Sequence, residues 1–476
     1  MDFKKFFQNK KVTVMGLGLL GRGVGDIAFL AENGAQVLVT DLKDENLLKE
    51  SLKKLKKYKN IKYVLGKHRL EDFQKGKTDL IFKAAGVPLD SIYIKEARKN
   101  KIPIYMSAAF FAKFSELPII GITGTRGKST VTHLITHILK SAGKRVLEGG
   151  NIRGVSNLQL LNLGARHPSA LGCRAPKLIG KYDFAVFELD SWQLQGFGSL
   201  KISPQIAVFT TFFQDHMNYY KNDMKKYFTD KANIFKFQKK DQKKNNLFVL
   251  GKQVVPFFKK YFPNKLNQGL TLIAKEKLPR DWQINLLGAH NQYNASLAVE
   301  VARSLGINDI EIKKALESFE PIPGRLEFLR EFNGIKIFND NNSTTPEATI
   351  AALEALGKEK NIILIMGGAD KNLDMKKLFS VIKKYVKAIV LIPGTGTDKI
   401  EPSLVKIKNL PMSRFDLDMG DQKKNFRKII QSALDLAKNG DIILFSPTFA
   451  SFGMFKNEFD RGDQFVEIIK KYAIIK

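Results

Sequence analysis

Short apolar runs alternate with longer stretches of helical spacing from about residue 11 onward. The first run, Lys11-Val12-Thr13-Val14-Met15, ends in Gly16-Leu17-Gly18-Leu19-Leu20-Gly21, and a helical stretch follows to about Asn33. Residues 36–40 form a second run that stops at Asp41, and residues 79–82 and 102–105 supply two more. The series restarts at residues 117–120, which lead through a glycine-rich turn into apolar positions Val131, Leu134, Ile135, Ile138 and Leu139. Runs at 183–189 and 206–209 and a helix through Asn294, Ala298 and Val299 continue it. After Pro321-Ile322-Pro323-Gly324, which reads as a linker, runs recur at 335–338, 362–366, 388–392 and 441–445. Buried strands separated by helical stretches predict parallel sheets with crossover helices.

Two of the turns carry chemistry. Gly16 to Gly21, with Asp41 20 residues beyond, matches the dinucleotide fingerprint, in which the acidic residue accepts a ribose hydroxyl. The same turn can bind any nucleotide diphosphate, or nothing. Gly121-Ile122-Thr123-Gly124-Thr125-Arg126-Gly127-Lys128-Ser129-Thr130 places glycines and Lys-Ser at a helix start, the layout of a phosphate loop. Lys128 is placed to reach the outer phosphates and Ser129 to hold magnesium. The expected fold is therefore α/β with three domains: Rossmann-like over residues 1–115, a central P-loop ATPase-type parallel sheet over 116–321, and Rossmann-like over 322–476.

The bulk properties exclude several classes. At 476 residues and 44% hydrophobic content the chain has material for full cores, which excludes global disorder. Cys173 is the single cysteine, so there is no intramolecular disulfide, and a reducing, cytoplasmic compartment is expected. The first ten residues lack the apolar stretch of a secretory signal, and no run reaches the roughly 18 residues of a membrane span. The net charge is +31, but the lysines are dispersed in pairs such as Lys53-Lys54 and Lys423-Lys424. A solvated surface accounts for that spread better than a nucleic-acid groove, and attraction of anionic substrates is its other use. Residues 160–181, rich in Gly, Pro, Arg and Ala, read as an exposed loop, and the lysine-rich 53–59 as a polar helix face.

Magnesium prefers a few oxygen ligands together with water and phosphate. Glu188 ends the apolar run Phe184-Ala185-Val186-Phe187, which presents it at a carboxyl sheet edge, where open α/β sheets bind ligands. Gln214-Asp215-His216-Met217-Asn218 follows another run and offers a histidine.

These motifs together resemble those of the Mur ligases, which build the peptide stem of bacterial cell-wall precursors. The phosphate loop is similar to theirs, with Arg126 where they usually carry Asn. The likeness runs from about residue 10 to the end, and it is nearest to the glutamate-adding members. It implies ATP, two Mg2+ ions, glutamate and UDP-N-acetylmuramoyl-L-alanine as ligands of a monomer that binds no nucleic acid and does not insert into membranes. It implies ATP contacts from Gly124, Thr125, Arg126, Gly127, Lys128, Ser129 and Thr130, with Asn291 near adenine and Arg325 and Asp340 from the third domain. The implied magnesium ligands are Ser129, Glu188, His216 and a carbamylated Lys231, and with Lys128 these form the catalytic set. Gly18, Leu19, Asp41, Leu42, Asn151, Ser191 and Gln193 are implied for the UDP-substrate, and Thr344, Lys371 and Ser451 for glutamate.

Two departures bear on the glutamate pocket. Asn341-Asn342-Ser343-Thr344-Thr345-Pro346 replaces the family's Ser-Lys-Ala-Thr-Asn, and Glu458 precedes Phe459 where an aromatic usually follows Asn457 directly. Residues 164–176 match nothing in the family pattern. The expected reaction is amide formation through an acyl phosphate. Competing readings are a ligase of the family with another amino acid, such as L-glutamate, a dehydrogenase using the first turn, and a basic nucleic-acid-binding ATPase. The dehydrogenase leaves the phosphate loop unexplained, and the nucleic-acid ATPase leaves Asp41, Lys371 and Ser451 unexplained.

Overall fold

The structure is a computed structural model that describes residues 2–19, 21–163, 178, 180–238, 246–263, 270–415 and 421–472. Close contacts divide the chain into two compact units. The first comprises residues 1–212, 225–275 and 297–312, and the second residues 213–224, 276–296 and 313–476.

The first unit contains two parallel sheets. One is built from β1 (Lys11–Met15), β2 (Gln36–Asp41), β3 (Ile61–Leu65), β4 (Leu80–Lys83) and β5 (Ile104–Tyr105) in the order β3-β2-β1-β4-β5. The order reverses between β1 and β4, so the glycine-rich turn after β1 lies at the switch point where such sheets bind ligands. The other comprises β6 (Ile119–Thr123), β7 (Val146–Gly150), β8 (Phe184–Glu188), β9 (Ile206–Phe209), β10 (Leu247–Gly251) and β11 (Leu270–Ala274), in the order β11-β10-β9-β6-β8-β7. Its middle strand β6 is fully buried and pairs with β8 on one side and β9 on the other. Apolar side chains on both faces explain the continuous hydrophobic runs, with Ile120, Ile122, Val186, Phe187 and Val208 all excluded from solvent.

The second unit holds β12 (Glu327–Phe332), β13 (Ile335–Asn339), β14 (Ile362–Gly367), β15 (Val386–Ile392), β16 (Met412–Ser413) and β17 (Ile442–Phe445), ordered β12-β13-β17-β14-β15-β16. All pairings are parallel except β12 with β13. One face packs Leu364, Met366, Leu378 and Leu404, and the other packs Ile363, Ile365, Ile430 and Phe465. The expected α/β class and the three sheets are therefore present.

Several elements differ from the sequence expectation. Strands β3, β7, β10, β11, β12 and β16 are additional. β12 alternates half-buried and exposed positions as an antiparallel edge, so it has no apolar run to betray it. Residues 160–181 are not uniformly an exposed loop, because Leu160, Leu161 and Leu178 are buried. Residues 164–177, with Cys173, lie outside the described residues. The lysines at 53–59 are only partly helical, since the helix Glu45–Leu55 stops before Lys56. No helix among the described residues is long and apolar enough to cross a membrane.

Candidate active site

The phosphate loop leaves β6 and enters the helix Lys128–Ser141 through Gly127, whose φ of 83° is left-handed. Gly124 could carry no side chain, because its φ is 151° and a Cβ would stand 2.0 Å from Thr210 Oγ1. The loop is clamped from the β9 side. Thr125 N donates to Thr211 O at 2.7 Å, Arg126 N donates to Thr211 Oγ1 at 2.9 Å, and Arg126 O accepts from Thr210 Oγ1 at 2.5 Å. Arg126, the residue foreign to the family pattern, thus has its backbone held on both sides, while its Nη1 donates to Thr125 O at 3.3 Å. Thr130 is buried in the helix's first turn.

Two ammonium groups converge on one carbonyl at the loop's start. Lys128 Nζ donates to Gly124 O at 3.1 Å and to Thr125 O at 3.2 Å, and Lys231 Nζ donates to Gly124 O at 2.9 Å. Lys231 is 1% exposed, and its ammonium lies over the Tyr227 ring, 4.9 Å from the centroid. The two ammonium groups therefore stand close together on one shared acceptor. Glu188, buried at the end of β8, accepts from Ser129 Oγ at 2.5 Å and from Asn151 Nδ2 at 3.4 Å. Among the described residues no three His, Cys, Asp or Glu side chains cluster as a ready-made metal cage. One hydroxyl and one carboxylate side by side nevertheless suit magnesium, which binds through few protein ligands.

In the first sheet, Asp41 is buried and ties the glycine turn to the end of β2. Its Oδ2 accepts from Leu17 N at 2.9 Å and Gly18 N at 3.2 Å, and Oδ1 accepts from Lys43 N at 2.9 Å. Leu19, in the glycine turn, and Leu42, next to Asp41 in sequence, have exposed side chains. Ser191 and Gln193 are buried at the start of the helix Ser191–Leu200, where Asp190 and Gln193 form a reciprocal cap. The amide of Gln193 is therefore engaged in holding that helix end.

The second unit holds the three residues implied for glutamate and brings two of them, Lys371 and Thr344, together. A bridge between Ala369 and Ala450 joins the segment after β14 to the segment after β17, and Thr448 N donates to Ser343 O at 2.8 Å. Lys371 Nζ lies 3.3 Å from Thr344 Oγ1 and 3.4 Å from Asp215 Oδ1, and Ser451 is buried nearby in sequence to Ala450. His216, with a left-handed φ of 56°, follows Asp215, whose Oδ1 accepts its amide at 2.9 Å. Asp340 Oδ1 accepts from Leu326 N at 3.1 Å, and Oδ2 accepts from Ser446 Oγ at 2.9 Å. Burial pushes the Asp340 carboxyl up to about 6, opposed by those hydrogen bonds and by the neighbouring Arg325. Burial, with Arg325 beside it, pulls His290 down to about 4, so this histidine is neutral. Asn291 Nδ2 donates to Leu287 O at 2.8 Å.

Three residues carry weight that the sequence analysis did not single out. Arg461 is fully buried and donates to Asn341 Oδ1, Asn341 O and Phe449 O at 2.7, 3.0 and 3.1 Å, fastening the loop after β13 to the loop after β17. Lys83, at the end of β4, donates to Val87 O at 2.8 Å and closes the turn after that strand. Arg22 bonds Asn151 Oδ1. Its one sequence signal is its place directly after the last glycine of the first turn.

Three family models cover most of the chain: the Mur ligase MurD-like N-terminal domain over residues 10–106, the Mur ligase middle domain over 122–302, and the Mur ligase glutamate ligase domain over 324–449. A UDP-N-acetylmuramoylalanine–D-glutamate ligase of Roseiflexus sp. (strain RS-1) is 32% identical, over 98% of this chain and 99% of its own. The enzyme of that name from Borreliella afzelii (strain PKo) is 35% identical, over 97% and 98%. Among solved structures, UDP-N-acetylmuramate-alanine ligase from Thermotoga maritima superposes with a TM-score of 0.58 at 18% identity, covering 98% of this chain and 100% of that one. The MurF ligase of Thermotoga maritima in complex with ADP gives 0.57 at 17% identity, over 98% and 96%. The phosphate loop, the strand-end glutamate and full-length likeness of this kind establish that the chain belongs to the Mur ligase family.

Proposed function

We propose that this protein is a cytoplasmic ATP-dependent ligase that joins D-glutamate to UDP-N-acetylmuramoyl-L-alanine in peptidoglycan precursor synthesis. The observation that carries the reading is the meeting of Lys128, Lys231, Ser129 and Glu188 around the phosphate loop, in a chain whose full-length relatives bear that enzyme's name.

The substrate's carboxylate attacks the γ-phosphorus of ATP and ADP departs, leaving an acyl phosphate. The glutamate amine then attacks the acyl carbon and expels phosphate, forming the amide. Lys128 offsets the charge gathering on the transferred group, and the clamped backbone of the loop holds it in line. When bound, magnesium would add Lewis-acid neutralisation of the phosphate oxygens. Ser129 and Glu188 would hold it in the first unit, with Lys231 as a carbamate, and His216 is the second unit's proposed ligand. Asn291, Arg325 and Asp340 are assigned to the nucleoside of ATP. Lys371, Thr344 and Ser451 offer an ammonium and two hydroxyls, a donor set that suits the carboxylates of glutamate. Gly18, Leu19, Asp41, Leu42 and Asn151 are assigned to the sugar nucleotide, with Ser191 and Gln193 supporting them through the helix start. The protein is proposed to act as a monomer without nucleic acid.

The test is ATP-dependent phosphate release with UDP-N-acetylmuramoyl-L-alanine and each glutamate enantiomer. Release that needs D-glutamate is expected. Release with L-glutamate instead would move the protein to another branch of the family, and none with either would sink the reading.

A further inference from the structure

The first unit carries a polar chain between its two sheets that the assignments above use only in part. Arg22 opens the helix Arg22–Glu32 immediately after the glycine turn. Its Nη1 donates to Asn151 Oδ1, Asn151 Nδ2 donates to Glu188 Oε1 at 3.4 Å, and Glu188 Oε2 accepts from Ser129 Oγ at 2.5 Å. One helical turn further on, Asp26 Oδ1 accepts from Ser156 Oγ at 2.6 Å and from Leu158 N at 3.2 Å, which holds this helix against the loop after β7. Gly25 lets the two approach, since a Cβ there would stand 2.4 Å from Ser156 Cβ. The guanidinium is thus positioned from both its own helix and the facing loop.

A guanidinium has five N–H donors. The bond to Asn151 is the side-chain hydrogen bond Arg22 makes among the described residues, and the Asp26 carboxylate feels its charge without a hydrogen bond to it there. The Arg22 guanidinium thus extends from the helix that follows the turn assigned to the nucleotide to Asn151, which in turn bonds Glu188. A planar cationic fork beside the start of a helix matches phosphate oxygens bidentately. We infer that Arg22 grips the diphosphate of the sugar nucleotide, with Nη1 still on Asn151, and so sets how far the substrate's carboxylate reaches toward the phosphate loop. The inference rests on the sugar-nucleotide reading of the first sheet.

The test is equilibrium binding of UDP, uridine and ATP to the wild type, Arg22→Leu and Arg22→Lys, with thermal unfolding as the check on folding. Arg22→Leu is expected to weaken UDP about tenfold or more, to leave uridine and ATP unchanged, and to raise KM for UDP-N-acetylmuramoyl-L-alanine alike. Arg22→Lys, which keeps the charge without the fork, falls between and also serves if the leucine variant fails to fold. Equal losses for UDP and uridine, or no loss for either, would overturn the role of Arg22 alone. A wild type that binds neither UDP nor the sugar nucleotide would overturn the substrate reading, and this inference with it.

Discussion

Single residues in this protein owe their chemistry to what surrounds them. Lys231 is one of many lysines in the sequence, and what sets it apart is burial against Tyr227 and a shared acceptor with Lys128. If it acts as a carbamate, Lys231→Ala should lose activity by about a hundredfold or more, and short carboxylates added to the assay should restore part of it. Full activity of the alanine variant would remove Lys231 from the mechanism. Asp340 gives a pH prediction. Its carboxyl is pushed up to about 6, so the folded chain holds the proton more tightly than the unfolded chain. The sign follows: stability falls as pH climbs from about 4 through about 6, and the cost persists above that range. Asp340→Asn should therefore stabilise the fold at pH 8 by about 1–2 kcal/mol while raising KM for ATP. A variant that melts lower at pH 8, or whose stability tracks pH as the wild type does, would refute the assignment.

At the scale of elements, the turns that bear function are shaped by their neighbours. The helix Arg22–Glu32 and the loop after β7 meet so closely at Gly25 that Gly25→Ala should cost about 1–3 kcal/mol through overpacking. Because Arg22 and Asn151 sit on those same two elements, the substitution should also raise KM for the sugar nucleotide more than KM for ATP; equal changes in both would argue against a local effect. Most strands were legible because parallel, doubly buried strands are written as uninterrupted apolar runs, as in β6 and β14. Strand β12 was not, since a half-exposed antiparallel edge has no such run. The two glycine turns and Glu188 were legible because their function needs fixed residue types at fixed spacing. Arg22, Arg461 and Asn341 were not, because their partners lie more than a hundred residues away in sequence.

For the whole molecule, the net charge of +31 bears on encounter more than on fold. Both nucleotide substrates are polyanions, so kcat/KM should fall as ionic strength rises beyond about 0.1 M, while kcat holds steady; a flat kcat/KM would show that the lysines serve solubility alone. Composition, period and motif by themselves determined the α/β class, the phosphate loop and the place of Glu188 at a sheet edge. These are local properties, set by residues adjacent in the chain and by the burial that a strand's own pattern demands. The tertiary structure decided which distant residues share an acceptor, which carboxylates are buried and which are engaged by backbone amides. It put Lys231 on the phosphate loop's first carbonyl, Arg461 between two loops and Arg22 on Asn151. The physical reason is that hydrogen bonds and desolvation depend on distance in space, and sequence spacing constrains that distance only within an element and its turn.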